Sequence, residues 1–302
     1  DMSGMLNDIG FNLDDELGVA NMAEYHYDDG AVYGFPTKYE NSRWILINED
    51  MFKEAGLDIP YDGWTYSEFL ADAEKLTHGE GQDKVYGVCW ARKQSGKSIL
   101  YALDGVLGAN QIYKNEEGTE VNFDNDVYRA GLNLVKETLD KGYAIPIEDE
   151  FSEDISVANT FLQGKCAIML GVAQMRLCMD QENYPHDFMT ALVPAPVPDD
   201  EKYNTEFYRK QIGTTGAGDL LSISANTKYP EASFEFAMWY LKGGMSPLVQ
   251  GGRIPLWNGV NKDEVLSVLK EKAQGSIDMD SMENYLSLDT TQGVAAIKGN
   301  AS

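Results

Sequence analysis

Basic residues are scarce in this chain: 24 Lys and Arg stand against 49 Asp and Glu, for a formal net charge of −25. A surface so acidic repels nucleic-acid phosphates and anionic membrane faces at long range, so no nucleic-acid partner is expected. Histidine is scarcer still. His26, His78 and His186 lie far apart and none falls in an HExxH or paired-ligand pattern, so no zinc or other metal site is expected. Only three cysteines occur, Cys89, Cys166 and Cys178, with no CxxC pair. Their odd count and the lack of a dense framework favour free thiols over the single disulfide that three cysteines permit. No uncharged apolar stretch approaches the roughly 20 residues of a membrane span, and no basic-then-apolar leader opens the chain, which starts on Asp1. Nor is there a repeat of roughly 20–50 residues, which excludes a solenoid.

What is present is an ordinary globular composition, 43% hydrophobic and 24% charged over 302 residues. That length exceeds what one core usually fills, so two domains are expected. Short apolar strands alternate with amphipathic helices. Strands are expected over residues 31–36, 42–48, 85–90, 166–170, 188–193 and 220–224, and helices over 49–55, 99–108, 126–141, 155–163, 230–241 and 262–273, with a weaker helix after Met279. Thr65 and Glu68 stand three apart ahead of Phe69, Leu70, Ala73 and Leu76, a capping box opening a further helix. Trp44 and Trp64, in strand and cap patterns, read as packing residues. The alternation points to α/β layers with largely parallel sheets.

Signatures of catalysis are missing. Ser95-Gly96-Lys97-Ser98 suggests a phosphate loop, but Ala91 stands where that motif requires glycine, which leaves a loop leading into a helix. Asp124-Asn125-Asp126 begins like a calcium loop yet lacks the later glycine and glutamate, so helix capping explains it better. The nucleophile elbow G-x-S-x-G occurs nowhere. A glycosidase carboxylate pair could be present among so many acids, since sequence does not measure carboxylate separation.

Several segments occur in a family order. Residues 28–48 (DDGAVYGFPTKYENSRWILIN), 49–57 (EDMFKEAGL), 64–76 (WTYSEFLADAEKL), 161–169 (FLQGKCAIM) and 230–236 (PEASFEF) follow one another along most of the chain. Together the five resemble the bacterial extracellular solute-binding proteins of ABC transporters, family 1, which include maltose-binding protein. Members usually carry a strand–helix–strand stretch before the Tyr33-Gly34-Phe35-Pro36 element and further helices after the point where this chain stops. The resemblance therefore implies part of a longer protein with an incomplete first lobe.

It also implies a two-lobe periplasmic-binding-protein-like α/β fold, with residues 1–40 and 222–260 in the first lobe and 41–221 and 261–302 in the second. Hinge crossings are expected near 37–42, 218–222 and 259–262. A sugar or oligosaccharide would bind between the lobes, without catalysis or cofactor, through Tyr39, Glu40, Asn41 and Arg43 after the first strand. Trp90, Arg92 and Gln94, then Gln174 and Arg176, and finally Asp219, Arg253 and Trp257 on later loops would complete the set. Flat aromatic faces would stack on sugar rings while charged and amide groups fix the hydroxyls. The implied partner is a membrane permease. The implied protein is monomeric and either a cell-surface lipoprotein or periplasmic. A carbohydrate-active enzyme, or a sensing or adhesion protein on the same scaffold, are the alternatives.

Overall fold

The computed structural model describes residues 1–289 except 23–24, 28, 42, 91–119, 122–123, 147, 150–156 and 213–216. Three short helices, α1 (Ser3–Asp8), α2 (Leu13–Leu17) and α3 (Val19–Met22), precede strand β1 (Phe35–Tyr39). Then β2 (Trp44–Asn48) leads into α4 (Glu49–Glu54), α5 (Tyr66–Leu76) and β3 (Tyr86–Cys89). Helices α6 (Asp126–Asp140) and α7 (Val157–Leu162) come before β4 (Cys166–Leu170), the one-turn α8 (Met175–Cys178) and β5 (Thr190–Pro194). The chain continues through α9 (Glu206–Arg209), β6 (Ala217–Leu221), α10 (Pro230–Trp239) and β7 (Ile254–Pro255), and ends its described part with α11 (Lys262–Ala273) and α12 (Met279–Leu286). No helix among the described residues is long and apolar enough to cross a membrane.

The strands form two sheets, a three-stranded one ordered β6-β1-β7 and a four-stranded one ordered β3-β4-β2-β5. In the larger sheet the side chains alternate between two cores, as the two-residue period of a strand requires. Ile45, Ile47, Val88, Ile168, Leu170, Ala191 and Val193 face Phe52 of α4, Phe69 and Leu76 of α5 and Leu134 of α6. Trp44, Leu46, Met169 and Leu192 face Phe161 of α7, Met175 of α8, Leu269 of α11 and Tyr285 of α12. A strand covered on both faces reads as an unbroken apolar run, which is why WILIN is buried along its whole length. The smaller sheet packs Phe35 against Leu6, Leu17, Phe234, Leu241 and Leu256.

Strand directions differ from the expected parallel layers. Among the strands of the described residues only β3 and β4 run parallel; β2 is antiparallel to both β4 and β5, and β1 is antiparallel to β6 and β7. The short 40–43 connection carries the chain out of one sheet and into the other, where β2 enters against the direction of β4. The first strand also sits four residues later than residues 31–36, with Pro36 inside it. The register explains the tolerance: β7 reaches only Lys38 and Tyr39, so Pro36 has a neighbour on one side alone. Likewise β6 occupies 217–221 rather than 220–224. Its pairing with β1 places in the smaller sheet a segment expected in the second lobe.

Local signals hold where they carry a capping mechanism. Thr65 Oγ1 accepts the Glu68 N–H at 3.3 Å while Glu68 Oε2 accepts the Thr65 N–H at 2.7 Å, closing the capping box on α5. Asn125 caps α6 through Oδ1, as expected for the Asp124-Asn125-Asp126 stretch. The helix expected at 99–108 and the Ser95–Ser98 loop lie outside the described residues.

Cys89 and Cys166 form a disulfide, Cα to Cα 6.2 Å, across 77 positions. This corrects the expectation of free thiols: the cysteine count says nothing of proximity, and the pairing of β3 with β4 supplies it. Cys178 remains a buried free thiol whose pKa burial pushes up to about 12.

On α5, half-buried Asp72 has its carboxyl pKa raised from the ordinary value to about 6, first by desolvation and then by nearby Glu68 and Asp58 against the lowering effect of Lys75. A folded-state pKa above the unfolded one means that folding favours the protonated form, so this group costs stability as pH rises from about 4 to 6, and the full cost persists above. Asp72→Asn is therefore expected to stabilise the protein by about 1 kcal/mol at pH 7.5, a figure reduced for partial exposure, with the gain shrinking toward pH 4 in urea titrations. An equal gain at both pH values would contradict the assignment.

Candidate functional site

The end of β1 sets one wall of a cleft. Lys38 is nearly buried there because Gly218, opposite it on β6, has no side chain: a Cβ at that position would lie 3.0 Å from Lys38 Cε. Its ammonium pairs with Glu40 and, at 3.1 Å, with Asp219. Asp219 adopts a left-handed backbone conformation, φ +58°, which Asp tolerates better than most residues. Its carbonyl accepts the Thr37 hydroxyl at 3.2 Å, and its carboxylate reaches Arg253 Nη1 at 2.9 Å. Two carboxylates and two cations are thereby joined in one chain of ion pairs, which fixes their positions.

The floor is aromatic. Tyr39 and Tyr285 meet edge to face with centroids 5.0 Å apart, and the Tyr39 hydroxyl donates to the Tyr285 carbonyl at 3.2 Å. The Tyr285 hydroxyl accepts the Asn41 N–H at 2.7 Å, and its ring lies 5.3 Å from Trp44. Burial raises the pKa of both tyrosines, Tyr285 in addition through the charges of Tyr39 and Glu40. Both therefore stay neutral hydroxyls at any physiological pH.

The facing wall comes from the turn after β4, with Val172, Gln174, Met175 and Arg176. The enclosed space is about 270 Å³. It is lined from the smaller sheet by Lys38, Asp219 and Arg253 and from the larger sheet's side by Gln174 and Arg176, so the cleft lies between the two sheets. Among the described residues no group of His, Cys, Asp and Glu is placed to hold a metal ion.

Six of the expected ligand residues, Tyr39, Glu40, Gln174, Arg176, Asp219 and Arg253, line this one cleft. Others do not. Asn41 is 1% exposed, and its side chain accepts the Arg43 N–H at 3.1 Å. Arg43, also buried, accepts the Ala195 N–H through its carbonyl, so the two residues build the crossing beneath the floor. Trp90 is 3% exposed, with its indole N–H donated to Thr138 Oγ1 at 2.7 Å and its ring against Phe69, so it is core and offers no face for stacking. Trp257 donates its indole N–H to Glu16 at 2.7 Å and lines a separate cavity of about 50 Å³. Arg92 and Gln94 lie outside the described residues. Lys38 and Tyr285 are the additions that sequence reasoning missed. A lysine in a strand reads as a solvated side chain, and nothing near Tyr285 in the sequence points to residue 39.

Two sheets with a polar cleft between them, joined by chain crossings at 40–43 and after β7, define a two-lobe binding scaffold of the periplasmic-binding-protein type. The chain belongs to the bacterial extracellular solute-binding protein family, whose model matches residues 3–242. Comparison with curated protein sequences gives no match. Solved structures share the fold at low identity. A sugar transporter from Rhizobium etli in an open conformation aligns with 99% of this chain and 70% of its own at 17% identity, with a TM-score of 0.67. An ABC substrate-binding protein from Listeria monocytogenes in complex with cycloalternan covers 94% and 68% at 16% identity, TM-score 0.60. UgpB from Mycobacterium tuberculosis in complex with glycerophosphocholine covers 94% and 66% at 16% identity, TM-score 0.63. This chain thus spans about two thirds of the length of these structures.

Proposed function

We propose that the protein is the solute-capturing component of an ABC importer, closing two lobes on a sugar or oligosaccharide and presenting the closed form to a membrane permease, without chemical change to the ligand. The lobes would comprise residues 1–39 with 217–256, and 44–194 with 262–286. The observation that carries this reading is the cleft itself, whose polar groups come from both sides. Contacts from the two lobes exist together only when the cleft is closed, so ligand shifts the population toward that state. Charged donors and acceptors already held by one another suit hydroxyl groups, which can both donate and accept. Ligands named in the solved structures, cycloalternan and glycerophosphocholine among them, are polyhydroxylated or phosphate-bearing small molecules. The Cys89–Cys166 disulfide suits an oxidising compartment, in keeping with an exported protein, cell-surface or periplasmic. A monomer suffices for this mechanism.

Melting temperature against a panel of mono- and oligosaccharides tests the reading. A ligand at about 100 times its Kd stabilises by about 2.7 kcal/mol, roughly a 4 °C rise for a chain of this size. A saturable rise for one sugar class with no breakdown product in the mixture is the expected result. Product formation would favour the enzyme alternative, and no shift with any sugar would remove the saccharide assignment.

A further inference from the structure

Within the cleft Lys38, Glu40, Asp219 and Arg253 are all held in ion pairs. Arg176 lines the same cleft from the opposite wall, exposed, and among the described residues it makes no ion pair or side-chain hydrogen bond. In a chain with about two acids for every base, a guanidinium that makes no ion pair is the uncommon arrangement. Its stem is held in place. Gly252, at φ +75°, comes so close that a Cβ there would lie 3.2 Å from Arg176 Cβ, so the backbone before β7 packs directly onto α8. Beyond Arg176 a second cavity of about 450 Å³ continues, lined by Asp180, Gln181, Glu182, Gln250, Lys272 and Gln274. Arg176 thus stands where two cavities meet, with its planar fork of donors unspent.

We infer that the ligand is an anionic saccharide, a sugar carrying a carboxylate or phosphate group that Arg176 takes by a two-point hydrogen bond. This rests on the saccharide reading above and adds the charge of the ligand to it. The guanidinium fork matches both anions bidentately, whereas a neutral hydroxyl fills only part of it. The ion-paired wall opposite, neutralised internally, would contact the sugar hydroxyls. The second cavity, whose amides, carboxylates and Lys272 can bond hydroxyls, leaves room for a further, neutral residue of the saccharide.

The test is calorimetric titration of the whole chain with a panel of neutral mono- to trisaccharides, each paired with its uronic acid and its phosphate ester, at low and high salt. The expected result is that at least one anionic member binds about tenfold or more tightly than its neutral counterpart, with the gap narrowing at high salt. Comparing the uronic-acid arm with the phosphate arm names the anion. In Arg176→Gln, whose fold is verified by its melting temperature, the members of each pair should fall to within about twofold of one another. Neutral sugars that bind as well as or better than their anionic partners would overturn the inference while leaving the saccharide reading intact. A preference that survives Arg176→Gln would overturn it too. If no member of any pair binds, the saccharide reading itself fails.

Discussion

Tyr285→Ala is expected to destabilise the protein by about 3–5 kcal/mol, the range for removing a large buried aromatic side chain, read as a lowered urea midpoint. The residue is 1% exposed and wedged against Tyr39 and Trp44, on either side of the crossing between the sheets. Alanine would leave a void below that crossing, and backbone on both sides would have to move to fill it. Tyr285→Phe separates the two contributions. It keeps the ring but removes the acceptor of the buried Asn41 N–H, an orphaned donor worth about 1–3 kcal/mol. Should the phenylalanine variant be as stable as the parent, the hydroxyl would have no part in holding the crossing.

Lys38→Met is expected to weaken ligand binding by about 100-fold or more, or about 2.7 kcal/mol. Methionine preserves most of the stem that lies against Gly218, so the loss would report the charge rather than the packing. Without the ammonium, Glu40 loses its ion pair and Asp219 keeps Arg253 as its one ion-pair partner among the described residues, leaving two carboxylates to repel one another beneath the ligand. Glu40→Gln added to Lys38→Met should recover part of any lost stability by relieving that repulsion. A binding loss below about fivefold in titrations of Lys38→Met would place the ligand elsewhere.

Much of the fold was legible because its signals are local. The Thr65–Glu68 box, Pro230 in the first turn of α10 and the apolar run at 44–48 each act within a few residues, and each forms the expected element. Strand partners were not legible, because pairing joins segments up to about two thirds of the chain apart, and the sequence of β2 is the same whichever way β4 runs. The same limit hid the disulfide. Six of the expected ligand residues line the one cleft, each on or near the end of a strand, where side chains can face a ligand. Trp90 fails that logic because the end of β3 turns inward to Thr138, and a strand-end pattern does not reveal which way the last side chain points. Tyr285 was out of reach altogether, since its role depends on contact with residues nearly 250 positions earlier.

The register of the smaller sheet also has a bearing on how the protein is made. Thr37 in β1 meets Asp219 in β6 across 182 positions, and β7 follows later still. As the polypeptide leaves the ribosome, β1 emerges early but has no partner until some 180 more residues have been synthesised, whereas the four strands of the larger sheet are all present by residue 194. Strand β1 thus waits unpaired for most of synthesis, although α11 and α12, which cover one face of the larger sheet, are made later still. For an exported protein, as proposed above, which must stay threadable until it has crossed a membrane, that delay would keep the smaller sheet's side of the cleft from forming too soon.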